Sequence, residues 1–158
     1  MHRMKKLFLA TGVAAACLTA LPAAAQFQKP EDAIKYRQAA FTMIAAHFGR
    51  VGAMAQGRVP FDPAAAAGNA ALAAALSALP FTAFGEGTDM GRPNRAKPEI
   101  WSRSADFQAK AKDMQAALAK LDAAARTGSL DAIKTAAGDA GGTCKACHDD
   151  YRTEKYSN

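Results

Sequence analysis

Apolar residues recur at helical spacing in four stretches of the chain, and turn-forming residues separate them. The first stretch opens at Pro30-Glu31-Asp32, a proline and two acids where a helix N-terminus favours them, and fades between Gly52 and Gly57. Its stripe is Ile34, Phe41, Ile44, Phe48 and Val51. The second begins at Asp62-Pro63, a cap followed by proline, and stops before Pro80, with Leu72, Leu76 and Leu79 on one side and alanine filling the rest. The third runs from about Ser104 to Arg126 with the seam Phe107, Ala111, Met114, Leu118, Leu121, Ala125, and stops at Gly128. The fourth starts at Ser129 and carries Leu130, Ile133, Ala137, Ala140, Cys144, Cys147 and Tyr151. Short links after the first and third stretches make those neighbours antiparallel, so the pattern predicts an all-α fold, an antiparallel four-helix bundle. Between the second and third stretches lies one long connection, from Pro80 to about Ser102, whose Phe81, Phe84, Ile100 and Trp101 predict that it packs on the core.

Composition agrees. The chain has 158 residues, 50% apolar, 8% aromatic and 22% charged, which suits one packed domain. Valine occurs only at Val13, Val51 and Val59, and isoleucine four times, so strands are disfavoured.

Residues 1–25 have the form of a secretory signal: basic Arg3, Lys5 and Lys6, an apolar run from Leu7 to Leu21, and Ala23, Ala24, Ala25 before Gln26. Cleavage is expected after Ala25, leaving 26–158 as the bundle. The apolar run is shorter than the ~20 residues that span a bilayer, and no other stretch is expected to reach that length. Cys17 falls within the segment and lacks a preceding lipoprotein-type leucine. Because the lost charges are all basic, the net charge falls from +6 to +3, too little to suggest nucleic-acid binding. Export also places Cys144 and Cys147 in an oxidising compartment, where bare thiols do not persist unclaimed.

Cys144-Lys145-Ala146-Cys147-His148 is a C-x-x-C-H sequence, the attachment signature of c-type haem. Its thiols lie one helical turn apart, and the histidine is placed to bind iron from one side. A thioredoxin-like pair belongs at a strand-to-helix junction, and a zinc site needs a fourth ligand for which only His47 is available. Gly138, Gly141 and Gly142 weaken the helix before the motif, and a flat macrocycle packed there would account for them. Arg37 occupies a seam position one heptad before Ile44. A buried guanidinium calls for an anion, and a haem propionate suits it; Gln38 adjoins it. Arg152 follows His148 by four residues and would share the imidazole's helical face.

Function depends on the position opposite His148. A Met or His there gives a low-spin electron carrier, and an apolar side chain leaves a site open to nitric oxide or carbon monoxide. Phe41 lies in the first seam, Met43 and Met54 are poorly aimed, Met114 lies in the third seam, and His47 sits at the stripe's edge, solvated or bonded to a carboxylate. The balance favours an apolar distal face, with the low-spin carrier as the alternative. No distal His and Arg pair suggests peroxidase work, so an enzyme is not expected.

In these residues the chain resembles the cytochrome c′ family. The likeness runs through Gln26-Phe27, Lys29-Pro30-Glu31-Asp32-Ala33, Lys35-Tyr36-Arg37-Gln38, His47-Phe48-Gly49-Arg50, Ala78-Leu79-Pro80, Ala83-Phe84-Gly85, Pro98-Glu99-Ile100-Trp101 and Cys144 to Arg152. It implies a periplasmic homodimer with one haem c per chain, held covalently by Cys144 and Cys147, and five-coordinate iron bound by His148. Arg37 and Gln38 fall on the propionate side, Arg152 beside the proximal face, and Phe41 at the distal position. That position is often leucine in the family, so a larger ring crowds it here. Phe81 stands where a close relative would have tryptophan. The implied ligands are nitric oxide and carbon monoxide, in protection or electron transfer with an unidentified redox partner, and no membrane or nucleic acid is implied for the mature chain.

Overall fold

The computed structural model describes residues 27–157. Residues 1–25, with Cys17 and the expected cut after Ala25, lie outside the described residues. Helix α1 spans Pro30–Ala55, α2 Pro63–Leu76, a short α3 Glu99–Ser102, α4 Ser104–Arg126 and α5 Leu130–Tyr151. A 3-10 turn, Leu79–Ala83, follows α2.

The ends of the helices follow the local chemistry. Asp62 caps α2 by accepting from the backbone N–H groups of Ala64 and Ala65, and Ser129 caps α5 by accepting from that of Ala132. α1 runs past Gly52 to Ala55 before Gly57 (φ 68°) turns the chain, and Gly128 (φ 71°) does the same between α4 and α5. α1 packs against α2 and α5, and α4 packs against both of the same helices, which closes a four-helix bundle. Ile44, Val51, Leu118, Leu121 and Ile133 fill its centre.

Three features depart from the sequence pattern. α2 buries Ala66, Ala70 and Ala73, and leaves Leu72 exposed. Small residues spaced one turn apart let α1 and α4 approach closely, and that outweighs burial of the bulkier leucines. The run Pro63–Ala83, 21 residues whose most apolar 18 have a mean hydropathy of 1.4, is long and apolar enough to cross a membrane by length and composition, contrary to the expectation that no second stretch would be. In the fold it forms the α2 side of the bundle. Finally, a two-stranded antiparallel ribbon joins β1 (Asn94–Ala96) in the long connection to β2 (Arg152–Ser157), with Ala96 opposite Arg152. Pro93 and Pro98 keep β1 out of a helix, and β2 continues directly from the end of α5.

Candidate functional site

The faces of α1, α4 and α5 that do not meet leave a cavity of about 990 Å³, closed on one side by the connection after α2. Cys144, Cys147 and His148 line it from α5, and Arg37, Gln38 and Phe41 from α1. Arg152 lines it from the start of β2, so these seven residues share one space.

The α5 side holds the two thiols and the imidazole. Both thiols are unpaired and only half-buried, where the seam predicted full burial, because they open onto the cavity. Desolvation raises the pKa of Cys144 and pushes that of Cys147 up to about 11, although Lys110 pulls the latter back. His148 is exposed by surface area through the mouth, yet crowding by the walls lowers its pKa, and Arg152 and Arg95 add to the shift. Arg152 does not reach the site as a helical neighbour. α5 ends at Tyr151, and Arg152 has extended backbone (φ −125°) with its N–H donating to His148 O. Asp149 pairs with Lys145 rather than with Arg152.

The lining from α1, α4 and the connection after α2 is rich in aromatic rings. Phe41 meets Phe81 edge-on at 5.6 Å, and Phe84 at 6.4 Å between centroids. Phe107 on α4 meets Phe84 at 5.0 Å and Tyr151 at 5.2 Å. Arg37 is 3% exposed, and its partners are neutral: it donates to Ala83 O (2.9 Å), Thr88 Oγ1 (3.0 Å) and Thr88 O (2.8 Å). Burial pushes its pKa down to about 10, with Asp89 opposing. The guanidinium's need for an anion is thus met in part by the loop, and two of its five N–H groups are left over. Gln38 donates to Pro93 O (2.9 Å) and accepts from Arg92 Nε (3.3 Å).

Several expectations move. Gly138 and Gly142 are exposed and outside the cavity lining, and a Cβ at either would meet nothing within 4 Å, so a flat group against the helix does not account for them; only Gly141 lines the cavity, and a Cβ there would meet Phe48 at 3.8 Å. α5 nevertheless runs unbroken through all three. His47 lies outside the cavity lining and bonds to the Asn69 carboxamide (2.9 Å), not to a carboxylate. Met54 is buried in the core and Met43 is exposed, whereas Met114 does line the cavity. Arg95 and Lys110 were not anticipated. Lys110 could have been found, since it lies three residues after Phe107 and four before Met114 on one helical face; it pairs with Asp150 at 3.0 Å. Arg95 reaches the site only because β1 pairs with β2, a tertiary event with no periodic signal.

A haem fits these residues. The space is large, its thiols stand one turn apart beside an imidazole, its inner lining is apolar (Ile44, Phe48, Leu118), and cations (Arg37, Arg95, Arg152) line it for anionic substituents. Among the described residues no cluster of three or more His, Cys, Asp or Glu could hold a bare metal ion. The family model for cytochrome c′ matches residues 32–152. The chain belongs to the cytochrome c′ family. It is 59% identical over 127 residues to cytochrome c′ of Rubrivivax gelatinosus, 80% of this chain and 98% of that one. With cytochrome c′ of Alcaligenes xylosoxydans xylosoxydans it shares 50% over 130 residues, 82% of this chain and 100% of that one. The Rubrivivax crystal structure superposes with TM-score 0.79 at 58% identity, covering 81% of this chain and 100% of that chain. A leucine-to-alanine variant of the Alcaligenes protein, solved as its nitric oxide complex, superposes with TM-score 0.76 at 50% identity, covering 82% of this chain and 99% of that chain. Cytochromes c′ are haem proteins rather than enzymes, and membership implies a covalent c-type haem, for which Cys144 and Cys147 are present.

Proposed function

We propose that this cytochrome c′ is a periplasmic haem protein that binds nitric oxide and carbon monoxide at a five-coordinate iron. The observation that carries the reading is one cavity lined both by Cys144, Cys147 and His148 from α5 and by a cluster of aromatic rings, Phe41 among them, from α1, α4 and the connection after α2. Relatives solved with nitric oxide bound support the choice of ligand. Haem, when bound, would supply an iron able to take an imidazole and a small gas as ligands. Cys144 and Cys147 would hold one haem c per chain through thioether bonds, and His148 would ligate the iron. Arg37, through its two remaining N–H groups, and Gln38 serve the propionate side. Phe41, Phe81 and Phe84 exclude water and anions from the opposite face and offer an uncharged ligand no hydrogen bond. Arg152 lies beside His148, where its charge would disfavour protonation of the imidazole and so help keep it a ligand. Export by residues 1–25, cleavage after Ala25, a homodimer free of the membrane, and a role in nitric oxide protection or electron transfer complete the proposal.

Phe41→Ala tests the steric part. Carbon monoxide should associate about tenfold faster, the effect of removing about 1.4 kcal/mol of barrier. An unchanged rate would mean that Phe41 does not close the pocket. The alternative is a six-coordinate electron carrier. It is favoured by Met114, the one thioether among the described residues lining the cavity, and it predicts a spectrum indifferent to carbon monoxide.

A further inference from the structure

Arg37 is buried without a carboxylate in contact, and three of its N–H groups go to one short segment of the long connection. Nη1 donates to Ala83 O and Thr88 Oγ1, and Nη2 donates to Thr88 O. The same guanidinium lies 4.3 Å from the centroid of Phe84 and 5.9 Å from that of Trp101. Trp101 Nε1 in turn donates to Gly85 O, and Thr88 Oγ1 donates to Gly85 O at 2.7 Å. Gln38, the next residue of α1, ties down the far end of the connection at Pro93 O. Phe84 is therefore held among a cation and four rings, those of Phe41, Phe81, Trp101 and Phe107. A charged side chain that served only an anion in the cavity would not need its fork turned to two loop carbonyls and a hydroxyl.

We propose that Arg37 is a positioning residue for the distal wall: by pinning residues 83–88 to α1 it fixes Phe84, and through Phe84 the ring of Phe41, and so sets how easily a small gas reaches the face opposite His148. The proposal rests on the assignment of Phe41 as the distal residue. It makes gas entry depend on a segment more than forty residues away in sequence, since Arg37 and Ala83 are separated by 46 positions. Lysine cannot replace this arginine, because it offers a point charge in place of a planar fork that bonds and stacks at once.

The test is a double-mutant cycle on the holoprotein with Arg37→Lys and Phe84→Leu. Carbon monoxide association is read by flash photolysis, and hydrogen exchange over residues 83–92 by mass spectrometry. Arg37→Lys should speed exchange in that segment and raise the association rate about fivefold, the size of coupling that contacting residues show. Phe84→Leu should raise the rate similarly, and the double variant should be no faster than the faster single one. Thr88→Val, which removes one acceptor and leaves the buried charge in place, should move both readouts the same way to a smaller extent. Faster exchange with a wild-type association rate would overturn the proposal, as would rate effects that multiply in the double variant. A shifted reduction potential with exchange unchanged would leave Arg37 a propionate contact only, and also overturns it. Phe41→Ala separates the two layers: if it accelerates binding while Arg37→Lys and Thr88→Val do not, the positioning role alone fails. If Phe41→Ala is silent, the assignment of the distal residue fails and the proposal falls with it.

Discussion

The two walls of the cavity are built in opposite ways. The α5 wall is contiguous: Cys144, Cys147 and His148 lie within five residues on a capped helix, and helical geometry alone aims them. The aromatic wall is assembled from α1, the 3-10 turn and the loop after it, together with α4, and side-chain contacts between distant segments hold it in place. Chemistry that must survive is placed where local structure fixes it. Access, which can be tuned, is placed where packing fixes it. Wall two is therefore the one that single substitutions at a distance should disturb.

The largest effect expected from this contrast is at Ile100, 4% exposed, which seats the connection against Phe107 and Tyr151. Ile100→Ala should cost about 2–5 kcal/mol in denaturant unfolding and loosen the aromatic wall while leaving haem attachment intact. A cost near zero would mean that the connection is not anchored there. A smaller effect of opposite sign is expected on α5. Gly138→Ala adds a Cβ that meets nothing within 4 Å, so it should stabilise the helix by up to about 1 kcal/mol with no change in ligand binding. Destabilisation would restore a packing role to that glycine.

The smallest effect is visible only in alkali. Tyr151 OH donates to Asp106 at 2.5 Å, and burial and that bond push its pKa from 10.0 up to about 12. A raised pKa means that the fold favours the protonated phenol. Its contribution is therefore complete below pH 10 and lost as pH rises towards about 12. The unfolding midpoint of the wild type relative to Tyr151→Phe should fall across that window, and parallel midpoints would show that the bond contributes nothing.

The same contrast explains what could be read in advance. The α5 motif was legible because spacing carries its chemistry, and Arg37 stood out because a charge interrupted an apolar seam. Its loop partners were not legible, since Ala83 and Thr88 carry no side-chain signal for a guanidinium. In α2 the leucines give the periodic signal, but alanine marks the buried side where close helix approach decides packing. Arg95 depended on the ribbon between β1 and β2, whose strands are short and far apart in sequence.

The most direct measurement is the visible absorption spectrum of the ferric and dithionite-reduced protein, with and without carbon monoxide. A high-spin spectrum that changes on adding the gas is the predicted result, and it places an open coordination position behind the aromatic wall. Sharp low-spin bands that carbon monoxide leaves untouched would contradict the account and direct attention to Met114 as a sixth ligand.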